Sequence, residues 1–447
     1  MIAPSLEVLA GWGMACRAPS WVYRPRNEEE VAEALADAGR RGLTVAHRGA
    51  GQSYGDAALN RDGAVVLMTG LDRIEEWDAH AGIVRAQAGV TIRDLWERVL
   101  PDGWWPPVVP GTMAPTLGGC VAMNVHGKNA ARVGPIGEHV AALILLEPGG
   151  TVTRLTAEAD AQRLRSVIGA QGLNGTILDV TLRLKRVHSG YLEVHPRPVR
   201  SLDEALEATD AGARSYDYAV GWLDAFPRVA GRGLLHFARY LPEDHVLAGR
   251  GLDLRAQRLP ARIAGLLPRS QVWRILRPFT NDPGVRAVNV GRYVTGHIGG
   301  RRVYVQSHAD FHFLLDYVPD WKRSYGPHGL MQYQFFVPRA AAAHAFREAF
   351  RAGERHGVVS FLAVLKRHRA ADFAASYEVD GYSLALDFPV RPKRMAALTR
   401  VCHDFDAIQA EVQGRIYAAK DSVSRGRLPA VRHPLFSSDL VRRWERP

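Results

Sequence analysis

HRGAGQSYGD at residues 47–56 and PGTMAPTLGGCVAMNVHGKN at residues 110–129 are two glycine-rich turns. Gly49, Gly51, Gly55, Gly111, Gly118, Gly119 and Gly127 supply backbone that approaches a ligand closely, so successive N–H groups converge on a pyrophosphate. A dinucleotide cofactor is the first expectation. A Rossmann reading fails on context: LTVAH at 43–47 reads as a strand, but the glycines that follow run into a second strand-like stretch, AVVLMT, with no helix opening between them. A glycine turn between two strands also fits a plain hairpin. The second motif favours the ligand.

With 447 residues, 47% of them hydrophobic and 23% charged, the chain has the balance of a folded protein of two or three domains. The first residues, MIAPSLEVLAGWGMACRAPSW, read neither as a signal peptide nor as a membrane span, which predicts a cytoplasmic protein or one peripheral at the inner membrane face. Cys16, Cys120 and Cys402 lie far apart, which excludes a disulfide framework and predicts a reducing compartment. The 17 histidines show no HExxH, and no metal is expected.

The net charge of +11 is unevenly spread. Residues 243–302 hold eleven Arg, no Lys and four acids among apolar clusters and four prolines, which reads as an irregular basic segment. Such a stretch suits an anionic membrane surface or the mouth of a pocket for a phosphate-bearing lipid. No nucleic-acid motif accompanies the charge, and no nucleic-acid partner is expected.

Asn27 to Glu30 opens a helix over 28–41, and strands are expected at 43–47, 64–69, 71–78 and 82–88, followed by a capped helix at 91–100. The fold class is α+β. From about 190 longer strands such as DYAVGWLDAF, LMQYQFFVP and YSLALDFPV predict one antiparallel sheet with helices on one face. Gln332 and Gln334 share a strand face, as do Ser383, Ala385 and Asp387, and such faces can line a polyhydroxylated ligand. In NVHGKN, His126 can take a proton near neutral pH while Lys128 holds a phosphate or a developing negative charge. Lys420 stands beside Asp421, where a salt bridge is the simplest role.

The order of GAGQSYGD, PGTMAPTLGG, HGKN, IGAQGLNGTI, MQYQF, LALDFP, YAAKDS and SSDLVRRW resembles the FAD-dependent oxidases of the vanillyl-alcohol-oxidase superfamily. Within it the chain is similar to the decaprenylphosphoryl-β-D-ribose 2-oxidase family, from about Leu9 to Trp444. The resemblance implies a PCMH-type, two-subdomain FAD-binding domain over 1–188, a substrate domain over 189–412, and a C-terminal return to the FAD domain over 413–447.

It also implies site residues. His47, Arg48, Gly49, Ala50, Gly51, Gln52, Ser53, Tyr54, Gly55, Asp56 and Ala57 would wrap the FAD pyrophosphate. Gly111, Thr116, Leu117, Gly118, Gly119, Met123, His126, Ile177 and Tyr417 would be further cofactor contacts. Tyr54, His126, Lys128 and Lys420 would be catalytic; Gln332, Gln334, Lys366, His312, Ser383 and Ala385 would bind substrate. The implied reaction oxidises the C2 hydroxyl of a polyprenyl-phosphoryl ribose for cell-envelope arabinan synthesis, with an NAD(P)H-dependent short-chain keto-reductase as partner. His126 is the first candidate for the base and Lys420 the second.

Four positions depart from the family pattern. Gln52 stands where related covalent flavoproteins place a histidine, so FAD is expected to be non-covalent. Ala385 replaces a cysteine that nitroaromatic inhibitors attack, and His312 and Ser383 replace a Tyr and an Asn. An oxidase of a soluble sugar, alditol or aldonolactone would use the same flavin site, and a non-enzymatic binding module would rest on the basic segment alone.

Overall fold

A computed structural model describes residues 2–263, 265–299, 302–373, 377–420 and 422–446, so the expected Lys420–Asp421 contact and Arg301 lie outside the described residues. Three sheets carry the architecture. The first has four strands in the order Ser5–Ala10, Arg17–Tyr23, Ala64–Leu67, Val45–Arg48. Its last three strands pair in parallel, so the turn at 49–63 is a crossover without a helix and the hairpin reading is excluded.

The helix Glu28–Arg40 packs Val31, Ala34, Leu35 and Ala38 inward at helical spacing. Asn27 caps it through the Glu30 N–H, but Glu30 accepts from Arg26 N rather than completing a box with Asn27. The complete capping box is at Thr91 and Asp94, opening the helix Ile92–Val99. The second sheet is antiparallel: Ile74–Asp78, Ile83–Gln87, Thr176–Arg183, Val140–Leu146, Val152–Thr156.

The third sheet has eight antiparallel strands in the order Tyr304–Ser307, Tyr191–Val199, Gly233–Tyr240, Tyr218–Leu223, Leu362–His368, Gly381–Pro389, Leu330–Pro338, Arg415–Ile416. Alternation sends Leu235, Phe237, Leu365, Leu384, Leu386, Tyr333 and Phe335 to one face. The helices Leu202–Ser215, Ala342–Arg355 and Met395–Glu411 cover that face. The opposite face is left to polar side chains: Gln332 opposes Asp387, Gln334 opposes Ala385, and Lys366 opposes Ser383.

After Arg415–Ile416 the chain leaves this sheet and ties into the first one. Tyr54 N donates to Ala419 O at 2.8 Å, and Val45 N donates to Leu435 O at 2.7 Å. Leu440 and Val441 of the helix Asp439–Glu445 join the core around Val45, and Arg443 makes a two-point ion pair with buried Asp56.

The basic segment is irregular over 243–261 but not beyond. It contains the helices Arg269–Leu276 and Asp282–Gly299, the second packed on the strands Tyr191–Val199 and Gly233–Tyr240. Two of its four prolines sit where these helices begin: Pro268 is the cap of the first and Pro283 the second residue of the other, positions that need no backbone N–H.

Candidate active site

The two glycine motifs meet face to face. A Cβ on Gly49 would lie 2.1 Å from Thr116 Oγ1, and one on Gly118 would lie 2.6 Å from the Ala88 Cβ. Thr116 in turn caps the helix Leu117–Ala122 by accepting from Gly119 N at 3.3 Å. The result is a cleft walled by both glycine motifs. Its walls include His47, Gly49, Ala50, Gly51, Gln52, Ser53, Tyr54, Ala57, Gly111, Thr116, Gly118, Gly119, Met123, Ile177, Tyr417 and Lys420.

Five residues expected at the cofactor do not line this cleft. Asp56 is held by Arg443, and Arg48 donates to the Ala10 and Ala58 carbonyls. Leu117 is fully buried in the core, and Gly55 packs its backbone against Gly11. His126 lies beyond Tyr417, whose ring is 5.4 Å away. Conversely, Gln171, Gly172 and Thr176 form cleft wall that the motifs did not single out. The signal was present in IGAQGLNGTI, since Gln171 and Gly172 both have positive φ.

The cleft fits a dinucleotide on its own evidence. Gln171 Oε1 is buried on its wall without a hydrogen-bond partner among the described residues, and Gly49 and Gly118 stand where any side chain would collide. Gln52 offers an amide, whose own donor turns back to the Ala50 carbonyl, and Cys120, also on the wall, is kept protonated by burial, which pushes its thiol up to about 12. Neither is a nucleophile for a covalent link.

Where the cleft meets the polar face of the large sheet, two clusters adjoin. In the first, the Lys420 ammonium stands 4.0 Å over the Tyr54 ring, while Gln332 donates to Asp387. Burial pushes Lys420 down to about 8, with Asp387 opposing it, and burial pushes Asp387 up to about 7. Among the described residues Asp387 Oδ2 has no hydrogen-bond partner. In the second cluster Gln334 Nε2 donates to His126 Nε2 at 2.9 Å, and Lys366 Nζ is 3.4 Å from His126 Nδ1. Ser383 bridges Gln334 and His368 at 3.3 and 2.8 Å. Burial, then the positive charge of Lys366, holds His126 well below the usual histidine range, and burial brings Lys366 down to about 7. His126 is therefore neutral, one ring nitrogen facing the Gln334 amide and the other the Lys366 amine.

A third arm leads away from the cleft. Lys128 bonds the Phe311 carbonyl and lies 4.4 Å over the Phe311 ring, while His312 is stacked on Trp105 and edge-on to Tyr218. His126 and Lys128 therefore do not point to one spot: the loop carrying them bonds the large sheet through Ala219 N to Lys128 O and splits the two side chains between neighbouring pockets.

The FAD binding domain family matches residues 19–156. The chain is 31% identical over 465 aligned positions to the decaprenylphosphoryl-β-D-ribose oxidase of Mycolicibacterium smegmatis, across 98% of this chain and 97% of that protein. The chain belongs to the decaprenylphosphoryl-β-D-ribose oxidase family. It is an FAD-dependent oxidoreductase with an α+β, PCMH-type cofactor fold. Members of wider kin align over less: the L-gulono-1,4-lactone dehydrogenase of Mycobacterium tuberculosis is 30% identical over 43% of each chain. The D-lactate dehydrogenase of Anaerostipes hadrus is 27% identical over 37% of this chain and 36% of its own.

Proposed function

We propose that this family member oxidises the C2 hydroxyl of a polyprenyl-phosphoryl-β-D-ribose to the ketone, the first half of an epimerisation to the arabinose form for cell-envelope arabinan. One observation carries the substrate class: similarity to the ribose oxidase runs through the whole chain, whereas lactone and lactate dehydrogenases match less than half. An NAD(P)H-dependent short-chain reductase would complete the epimerisation. Residues 1–188 and the return at 413–447 would serve the cofactor, and 189–412 the substrate, with Arg415–Ile416 still paired to the substrate sheet.

Gly49, Gly51, Ser53, Thr116, Gly118 and Gly119 would hold FAD, which when bound supplies the two-electron acceptor for the hydride lost from C2. Of the two candidate bases, Lys420 is the better supported. It is on the cleft wall, and a pKa of about 8 leaves neutral amine to take the hydroxyl proton. The ammonium so formed rests on the Tyr54 face and near Asp387, which stabilise it. Gln332, Gln334 and Lys366 would hydrogen-bond the sugar oxygens, His126 would hold Gln334 and Lys366 in register, and Lys128, His312, Ser383 and Ala385 would shape the pocket. Trapping the product with borodeuteride tests the regiochemistry. Deuterium at C2 of the recovered pentose is expected, and deuterium at any other carbon contradicts the assignment.

Among the described residues no helix is long and apolar enough to cross a membrane. Leu266 and Ile298, 81% and 83% exposed, with Ile275, Phe279 and Val290 nearby, stand among the arginines of the basic segment. This supports peripheral contact with an anionic lipid surface. The protein is expected to sediment with phosphatidylglycerol vesicles and to be released by salt; equal binding to phosphatidylcholine vesicles would overturn this contact.

A further inference from the structure

On the open face of the large sheet, a row of positive groups continues past the sugar pocket. Val220 opposes His236, and Gly221 opposes Leu365, so Lys366 lies beside Val220, two strands and about 10 Å from His236. The helix Asp282–Gly299 crosses here. Its Gly296 sits tight against Leu234, where a Cβ would be 2.4 Å from a Leu234 methyl, and its Arg292 guanidinium lies 4.7 Å over the Trp222 ring.

Asp224, the buried carboxylate against this helix, is engaged by Arg232 and Asn289. Among the described residues no carboxylate pairs with Arg292, Lys128 or His236; Lys128 has only the Phe311 carbonyl and ring. Burial and the charges of Arg292 and Lys128 push His236 down to about 4, and burial with Lys366 brings Lys128 to about 7. Buried basic groups of this kind, the Arg292 charge among them, are costly until an anion joins them and draws protons onto the other two.

We propose that Lys128, His236 and Arg292 form the phosphate subsite of the substrate pocket, taking the phosphate ester that links a sugar to an apolar chain. The subsite rests on the proposed function for its sugar, and it deepens that reading by naming the residues that recognise the anion. A pentose held by Lys366 would direct its phosphate along the row toward Arg292, and the exposed apolar residues of the same helix would receive the prenyl chain.

Calorimetric titration of the FAD-loaded protein with farnesyl phosphate and with farnesol tests the subsite without turnover. Arg292→Gln is expected to weaken farnesyl phosphate roughly 10- to 100-fold, to leave farnesol unchanged, and to be partly rescued by Arg292→Lys. Flavin content reports that each variant is folded. Equal effects on both probes, no effect on either, or a wild-type protein that binds farnesyl phosphate no better than farnesol overturns the subsite. If farnesyl phosphate behaves as expected while no ribosyl derivative reduces the flavin, the sugar assignment fails and the phosphate subsite stands.

Discussion

Lys420→Met is expected to lower kcat by about 10²- to 10⁴-fold while the protein keeps its FAD, because the change removes the amine that takes the hydroxyl proton and leaves both glycine turns of the cleft in place. The pH profile carries the same argument with a sign. Lys420 is pushed from 10.5 to about 8 by burial, and only its neutral form accepts a proton. The rate should therefore rise with pH up to about 8 and then level off. Asp387 raises the Lys420 pKa, so Asp387→Asn should move the rising limb to lower pH. Stopped-flow flavin reduction across pH reads both variants. A Lys420→Met protein that retains wild-type reduction rates would transfer the base role to His126.

The second large effect belongs to the meeting of the two glycine turns. Gly49→Ala places a methyl 2.1 Å from Thr116 Oγ1, displacing the hydroxyl that caps the helix Leu117–Ala122. Overpacking and a lost cap together cost about 2–4 kcal/mol, concentrated where the pyrophosphate would lie. The purified variant should carry less than about a tenth of the wild-type flavin, a loss that this cost would produce. Gly39→Ala is the matched control: nothing lies within 4 Å of its Cβ, and it sits in the helix Glu28–Arg40. That change should leave flavin content unchanged and stabilise slightly. The ratio of flavin to protein absorbance after gel filtration separates the two outcomes.

Much of this was legible in the residues because it is local. Thr91 and Asn27 announce their helices by capping chemistry, and the alternation of Gln332 and Gln334 predicts the polar strand face found beside the cleft. The resemblance brought Lys420 and Tyr54 into one site, although nothing local says that the chain returns 366 residues later to put the amine over that ring. Asp56 shows the opposite failure. It lies inside the glycine motif, yet its partner is Arg443, and only the folded chain reveals that its carboxylate anchors the C-terminal helix instead of facing a ligand. The basic segment was misread because Pro268 and Pro283 look like breakers in a sequence, whereas at the first positions of a helix they are starters. His236 and Arg292 carry no motif at all; a strand register and a helix crossing bring them together.

The most direct measurement is the anaerobic absorbance spectrum of the purified protein before and after adding a polyprenyl-phosphoryl ribose, with L-gulono-1,4-lactone as the comparison and acid precipitation as the final step. Bleaching of the oxidised-flavin band by the ribosyl lipid alone, followed by release of free FAD into the acid supernatant, is the predicted result. A flavin that stays oxidised with the ribosyl lipid and bleaches with the lactone would contradict the account.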